Sequence, residues 1–558
     1  MRSLSLSFNL FIIFIINLGY VNSFLIPIKG LNLLPLQQQK HQQSIFSNNF
    51  KSTPSPTSFD DWLVFQKQVC LNSILNNIGG DFTIDNKDLL PGVVIASPST
   101  SNPDYYYQWT RDSAIIINIL IDHVSQTPLY FKKNSTSSLI RIIESYIFNN
   151  QVLQQLPNLS GDVDNLQNLG EPKFHVNLTA FNESWGRPQR DGPGLRSITI
   201  MNYLSLLNNT EQITTFSNLT INDTQKIYHD IIKPDLQYSI EYWQFEGFDL
   251  WEEIKGIHFF TSLIQLKSLT MGLKFAEFYN DSFEFRLDLM NSIKLLTKYI
   301  ELEAGFINGA DSDDDESEQQ LLSKSYIISS PKFFYTKSRS GLDIATILAV
   351  LYTHNNNDEV DDFPFDVDNG LVLTTLRYLI QDMTFRYPIN FQDNFQGVAL
   401  GRYPEDIYDG HGKSEGNPWF ISTATASELI YRLIYKLKLN NQDIIIDQHN
   451  IEFYEQFIQS ITAISSNNKQ NLKDHTISGH PIMIINKDDQ LYDELINKLF
   501  HYADGFLKVV QKHIDNNGDM NEQFNKYIGF MQGAKKLTWS YGAVFTAINW
   551  RNKTLSIL

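Results

Sequence analysis

Cysteine is almost missing: Cys70 stands alone among 558 residues. One thiol excludes an intrachain disulfide and a cysteine-based metal site. Cys70 sits among Trp62, Phe65, Val69 and Ile74 in a helical pattern, which predicts a buried, inert thiol. The histidines show no HExxH-type spacing. Positive charge is also scarce, with 44 Lys and Arg against 62 Asp and Glu and a formal net charge of -18. Phosphate binding needs a basic face, so nucleic acid is not an expected partner. Beyond the N-terminus no apolar run is long enough to span a bilayer. No fixed-period repeat and no domain boundary after about residue 59 can be read.

What is present begins with a leader. Arg2, an apolar run from Phe8 to Leu18, and Val21-Asn22-Ser23 have the shape of a signal peptide, residues 1–23. An uncleaved anchor is the alternative; after cleavage no membrane association is expected. Sequons at Asn134, Asn158, Asn177, Asn182, Asn208, Asn218, Asn222, Asn280 and Asn552 favour the secretory route, toward a secreted or a vacuolar destination. Residues 24–58, rich in Gln, Asn, Ser and Pro, predict a flexible extension. Order is expected from residue 59 to 558, starting with an aspartate of Phe59-Asp60-Asp61-Trp62 capping a helix to about Ile78. The acidic run from Asp311 to Glu318 predicts a solvated loop; a calcium site there lacks the EF-hand glycine and spacing.

From there the pattern is helical, and polar clusters precede the helices. Tyr105-Tyr106-Tyr107-Gln108-Trp109-Thr110-Arg111-Asp112 leads into a helix from Ser113 to His123. Trp185-Gly186-Arg187-Pro188-Gln189-Arg190-Asp191-Gly192-Pro193 leads into one from about Leu195 to Leu207. Gly247-Phe248-Asp249-Leu250-Trp251-Glu252-Glu253-Ile254-Lys255-Gly256 leads into one ending near Tyr279. Gly401-Arg402-Tyr403-Pro404-Glu405-Asp406 and Asn417-Pro418-Trp419-Phe420 precede a helix to about Leu437. Met520-Asn521-Glu522-Gln523-Phe524 and Leu537-Thr538-Trp539-Ser540-Tyr541 precede the last, to about Arg551. Helices without clusters, such as Leu287 to Glu301 and Leu342 to Tyr352, lie between. The alternation predicts an all-α toroid of helical hairpins with every cluster at one end, around one pocket.

Hydrolysis of a glycosidic bond needs a protonated carboxyl at the leaving oxygen and an ionised one for the water or the anomeric carbon. Neighbouring residues point about 100° apart on a helix and about 180° apart on a strand. Glu252 and Glu253 therefore cannot both address one bond, and the partner of an acid there comes from elsewhere. Glu522, beside Met520 and Phe524, is a suitable distant carboxyl. An apolar lid such as Trp251 would help an acid keep its proton. Arg111 with Asp112, and Arg402, can grip vicinal hydroxyls; a buried structural salt bridge is the alternative for each. Tyr105, Trp109, Trp185, Trp251 and Trp539 are candidate stacking walls, or core.

These five motifs, in this order, resemble the fungal glucoamylases of glycoside hydrolase family 15, over essentially all of 59–558. The resemblance implies an (α/α)6 barrel and an inverting exo-hydrolase. Such an enzyme releases β-D-glucose from non-reducing ends of starch, glycogen and malto-oligosaccharides, cutting α-1,4 links and, slowly, α-1,6 links. Carried over by motif, Glu252 is the general acid and Glu522 the general base. Glu253 contacts the sugar on the leaving side. Arg111 and Asp112 hold the terminal glucose. Trp109, Trp185, Arg187, Asp249, Trp251 and Arg402 line the site, and Tyr105 and Trp539 flank the water and base. The resemblance implies no metal or cofactor, and a monomer is expected.

The chain also departs from the family. Ile254-Lys255-Gly256 stands where Val-Asn-Gly is common, with Lys255 expected to face solvent. Gly533-Ala534-Lys535-Lys536 replaces Ser-Ala-Arg-Asp, so a serine that supports the base elsewhere is absent and the bonding of Glu522 is open. Only 19 residues follow Trp539, too few for a starch-binding domain. The rival readings are another inverting glucosidase on the same barrel, such as a trehalase, and a non-catalytic glucan-binding protein.

Overall fold

The computed structural model describes residues 58–558, apart from 87, 127–132, 210–216, 218, 309–324, 355–362, 393–395, 465–472 and 478–479. The expected signal peptide, the extension up to residue 57 and the acidic run at 311–318 lie outside the described residues.

Twelve helices build the frame. They are α1 (Phe59–Asn76), α2 (Thr110–Gln126), α3 (Lys133–Leu153), α4 (Asp191–Asn209), α5 (Lys233–Tyr242) and α6 (Phe259–Phe278), followed by α7 (Phe283–Lys298), α8 (Ile344–Thr353), α9 (Gly370–Arg386), α10 (Phe420–Leu439), α11 (Gln490–His513) and α12 (Thr538–Leu555). The even-numbered helices close a ring: α2 packs on α4, α4 on α6, α6 on α8, α8 on α10, α10 on α12, and α12 back on α2. The odd-numbered helices form the outer layer, α1 on α12, α3 on α2, α5 on α4, α7 on α6, α9 on α8 and α11 on α10. This is the (α/α)6 barrel. A further helix, Ile451–Ile464, packs between α9 and α11. A small antiparallel sheet orders Ile444–Ile446, His480–Ile485 and Lys473–Ile477 with the second strand in the middle.

The side chains explain the two layers. An inner helix is touched on every face, and in α10 every residue from Phe420 to Ile434 is buried, as is every residue of α6 from Phe259 to Leu269. The small run Ser422-Thr423-Ala424-Thr425-Ala426-Ser427 lets neighbours approach α10 closely. Two of its hydroxyls bond back into the helix, Thr423 donating to the Trp419 carbonyl at 2.9 Å and Thr425 to Ile421 at 2.8 Å, while the buried Ser422 hydroxyl has no partner among the described residues. Outer helices carry one buried stripe instead; in α11 it includes Leu491, Leu495, Ile496, Leu499 and Phe500.

The first helix is capped two residues before the first of its aspartates. Ser58, in extended conformation, accepts the Asp61 amide at 3.1 Å, and Asp60 and Asp61 fall in the first turn, where they favour the positive helix end. A buried fork ties α4 to α5: Arg196 donates to Asp235 at 2.8 and 2.5 Å. Arg196→Met would leave that carboxylate uncompensated in the core, and a loss of about 3–5 kcal/mol is expected in urea unfolding.

The segments that precede the inner helices meet at one end of the ring. Trp109 and Gln189, before α2 and α4, both donate to Glu252, before α6. Trp251 donates to Asp343, the cap of α8, at 3.0 Å. Arg402 and Glu522 come from the segments before α10 and α12.

Candidate active site

The tandem glutamates sit on a short loop closed by its own backbone. Gly247–Phe248 pairs antiparallel with Lys255–Gly256. Between them Asp249 Oδ1 accepts the amides of Glu253 and Ile254 at 2.8 and 2.9 Å, and the Glu252 amide donates to the Asp249 carbonyl at 2.9 Å. Glu252 adopts φ +66°, a left-handed conformation that costs a non-glycine residue about 1–2 kcal/mol and that clusters at functional sites. This turn separates the two acids into different surroundings.

Glu252 points into a ring of donors. Its Oε1 accepts Trp109 Nε1 at 2.6 Å and Gln189 Nε2 at 2.8 Å, and lies 3.6 Å from Arg111 Nη2. Its Oε2 accepts Trp185 Nε1 at 2.9 Å. Glu253 faces cations: Arg402 donates to Oε1 at 2.7 Å and Arg339 to Oε2 at 3.0 Å, while the Tyr403 hydroxyl also donates to Oε2. Burial works to raise the Glu253 carboxyl; Arg402, Tyr403 and Arg339 overcome it and hold the group below the usual carboxylate range. Arg402 is itself fixed by a fork onto Asp406 at 2.8 and 2.6 Å.

Glu522 comes from the far side of the ring opening. Its amide donates to the Ala534 carbonyl at 2.9 Å, beside the paired strands Gln523–Phe524 and Met531–Gln532. Its Oε2 accepts the Tyr408 hydroxyl at 3.2 Å, and Tyr408 lies 3.2 Å from the Tyr105 hydroxyl. Full burial pushes this carboxyl up to about 7, against the opposing pull of Arg402, the Ala534 amide and the two tyrosines. The missing serine is explained here. Gly533 has φ +73°, and a β-carbon on it would lie 2.4 Å from Glu522 Oε2, so the position admits no side chain while Glu522 stays in place. Two tyrosines hold the carboxyl instead. Tyr408→Phe removes a donor to the ionised form, so the protonated form gains. The acidic limb of the activity profile is therefore expected to move to higher pH, read as kcat/KM against pH; an unmoved limb contradicts this coupling.

Arg111 and Asp112 lie at the start of α2. Arg111 Nη1 donates to Gln189 at 2.9 Å and to Asp191 at 3.1 Å. Its Nε sits 3.4 Å from Asp112 Oδ2, and among the described residues neither buried atom has a hydrogen-bond partner. Unmet buried polar atoms are costly, about 1–3 kcal/mol each, and an adjacent donor and acceptor suit a vicinal pair of hydroxyls. Burial pushes the Asp112 carboxyl up to about 6, with Arg111 opposing.

Thus Tyr105, Trp109, Arg111, Asp112, Trp185, Glu252, Glu253, Arg402 and Glu522 converge. Four expected site residues turn elsewhere. The Arg187 guanidinium is occupied by Glu171, at 2.8 Å to each oxygen, and by the carbonyls of Glu183 and Phe181. Asp249 serves the loop backbone. The Trp251 indole is buried, donates to Asp343 and stacks on Trp539 at 6.3 Å between centroids. Trp539 donates to Tyr352 at 2.7 Å. Lys255 is exposed, as its sequence context suggests. Gln189, Tyr403, Asp406 and Tyr408 stood in or beside the motifs as unassigned residues. Arg339, in the polar stretch Lys337-Ser338-Arg339-Ser340, carried no signal. Among the described residues no group of three or more His, Cys, Asp or Glu could hold a metal ion.

The family model described as glycosyl hydrolases family 15 matches residues 68–549. A glucoamylase of Saccharomycopsis fibuligera is 38% identical over 533 residues, covering 94% of this chain and 96% of that one. The intracellular sporulation-specific glucoamylase of Saccharomyces cerevisiae is 36% identical over 511 residues, covering 90% and 86%. Among solved structures, the Saccharomycopsis fibuligera glucoamylase superposes with a TM-score of 0.79 at 38% identity, over 91% of this chain and 99% of that one. The Hypocrea jecorina glucoamylase gives 0.71 at 30% identity, over 89% and 72%.

Proposed function

The chain belongs to glycosyl hydrolases family 15 and is a glucan 1,4-alpha-glucosidase, and on that premise we propose that Glu252 is its general acid and Glu522 its general base. The observation that carries the assignment is the placement of the two carboxyls, presented by separate loops into one end of the barrel. The enzyme hydrolyses starch-type glucans from their non-reducing ends with inversion, releasing β-D-glucose.

In this reading the terminal glucose enters first, and Arg111 with Asp112 takes its hydroxyls. Protonated Glu252 gives its proton to the glycosidic oxygen as the C–O bond breaks. Ionised Glu522 takes a proton from the water that attacks the opposite face of the sugar. A carboxylate whose conjugate acid titrates near 7 is a stronger base than an exposed one, so the burial of Glu522 favours this role. Inversion needs about 6.5–9.5 Å between the carboxyls, to seat that water. Glu253, braced by Arg402, Arg339 and Tyr403, would meet the sugar on the leaving side. Its ionised, multiply held carboxylate accepts hydroxyls and gives no proton.

We also assign the catalytic domain to 59–558, within the compact unit Pro56–Leu558, and the leader to the secretory route as a secreted or vacuolar monomer. Among the described residues no helix is long and apolar enough to cross a membrane. A substrate panel tests the reading: maltoheptaose and glycogen are expected to be cleaved and trehalose to resist. Cleavage of trehalose with no action on maltoheptaose would replace it with a trehalase.

A further inference from the structure

Lys173 is a buried cation that no carboxylate bonds directly among the described residues. It lies on the two-residue strand Lys173–Phe174, directly opposite Trp109 in antiparallel register. Its side chain is buried, yet no hydrogen bond or ion pair holds its Nζ among the described residues. Four aromatic rings surround the ammonium instead: Trp185 at 3.3 Å to the centroid, Phe181 at 4.2 Å, and Tyr107 and Trp109 at 4.6 Å each. A desolvated cation is attracted to an aromatic face, which answers part of the burial cost. It does not explain why a charge, rather than a methionine, fills this space.

The two indoles supply the reason. Trp109 and Trp185 are the same rings whose N–H groups hold Glu252, one on each oxygen. A cation on the face of an indole draws electron density from the ring and strengthens its N–H as a donor. The ammonium also adds its own positive field at the carboxyl. Both effects favour the carboxylate that remains once the proton has passed to the glycosidic oxygen. We propose that Lys173 is a positioning residue for the proton donor: caged by Trp109 and Trp185, it fixes the two indoles that hold Glu252 and makes that group the stronger acid.

The inference rests on Glu252 being the acid. Burial lowers the lysine to about 8, while Glu252 and Asp104 pull it upward, so it stays charged across the acid and neutral range. Other charges face the same space. Arg187 and Glu183 act on Lys173, and Arg111 and Asp112 act on Glu252 from α2.

The test compares Lys173→Met, which keeps length and removes charge, with Lys173→Arg, which keeps charge, on maltoheptaose. Lys173→Met is expected to lower kcat by about tenfold with KM changed less than about threefold. Loss of positive charge disfavours the carboxylate, so the acid holds its proton longer. The basic limb of the pH profile therefore moves to higher pH. Lys173→Arg is expected to restore that limb and most of kcat. Trp185→Phe, at a position already 37% exposed, removes one N–H donor but keeps a ring, and should shift the limb the same way. It carries the test if Lys173→Met does not fold. An unmoved limb in these variants, or equal shifts in Met and Arg, overturns the proposal. If Glu252→Gln is still inactive in that case, the acid assignment survives; near-normal turnover by Glu252→Gln instead removes the premise.

Discussion

Glu252→Gln is expected to lower kcat on maltoheptaose by about 10²–10⁴-fold, the usual contribution of a positioned acid, with KM nearly unchanged. The amide fills the same space and can still accept from Trp109 and Gln189 through its oxygen. Its NH2 group then meets the Trp185 N–H, on the exposed side of the cluster. What is lost is the proton. A leaving group that needs none should therefore escape the defect: α-D-glucopyranosyl fluoride is expected to be hydrolysed by Glu252→Gln far better than maltoheptaose, relative to the parent enzyme. Equal losses on both substrates would mean that Glu252 does something other than protonate the leaving oxygen.

Glu522→Gln is expected to be similarly deficient, by about 10²–10⁴-fold, with the opposite substrate pattern. The attacking water is needed whichever group leaves, so glucosyl fluoride should not rescue this variant. Tyr408 and the Ala534 amide, at 3.2 and 3.4 Å from Glu522 Oε2, can remain bonded to a glutamine oxygen, and maltose binding should persist. Recovery of near-parent turnover on the fluoride would reassign Glu522. The two variants together separate acid from base without relying on the location of either residue.

The barrel was legible because its inner helices carry long apolar runs and the loops before them carry the conspicuous residues. Helix starts were less legible. The stretch before α2 predicts a start at Ser113, whereas the helix begins at Thr110. His258, Trp419 and Leu537 sit at the N-caps of α6, α10 and α12 and give no side-chain cap. Without a capping Ser or Asp, nothing local marks the boundary.

The separation of Glu252 from Glu253 followed from the geometry of adjacent residues, but the partners of each did not. Arg339 lies 86 positions from Glu253, and only the closed ring brings it near. Arg111 and Arg187 both stood as expected site residues. They differ because Glu171, 16 positions from Arg187, takes one of them out of use. Trp251 looked like a lid because it adjoins Glu252 in sequence. In the structure its indole also donates to Asp343, the cap of α8, a contact 92 positions away in sequence.

The central claim is that these two carboxyls act across a water on a chain end. Proton NMR of maltoheptaose during the first minutes of reaction, before mutarotation, tests it most directly. The account predicts β-D-glucose and maltohexaose as the initial products. Glucose appearing first as the α-anomer, or maltotriose and maltotetraose appearing ahead of maltohexaose, would contradict it.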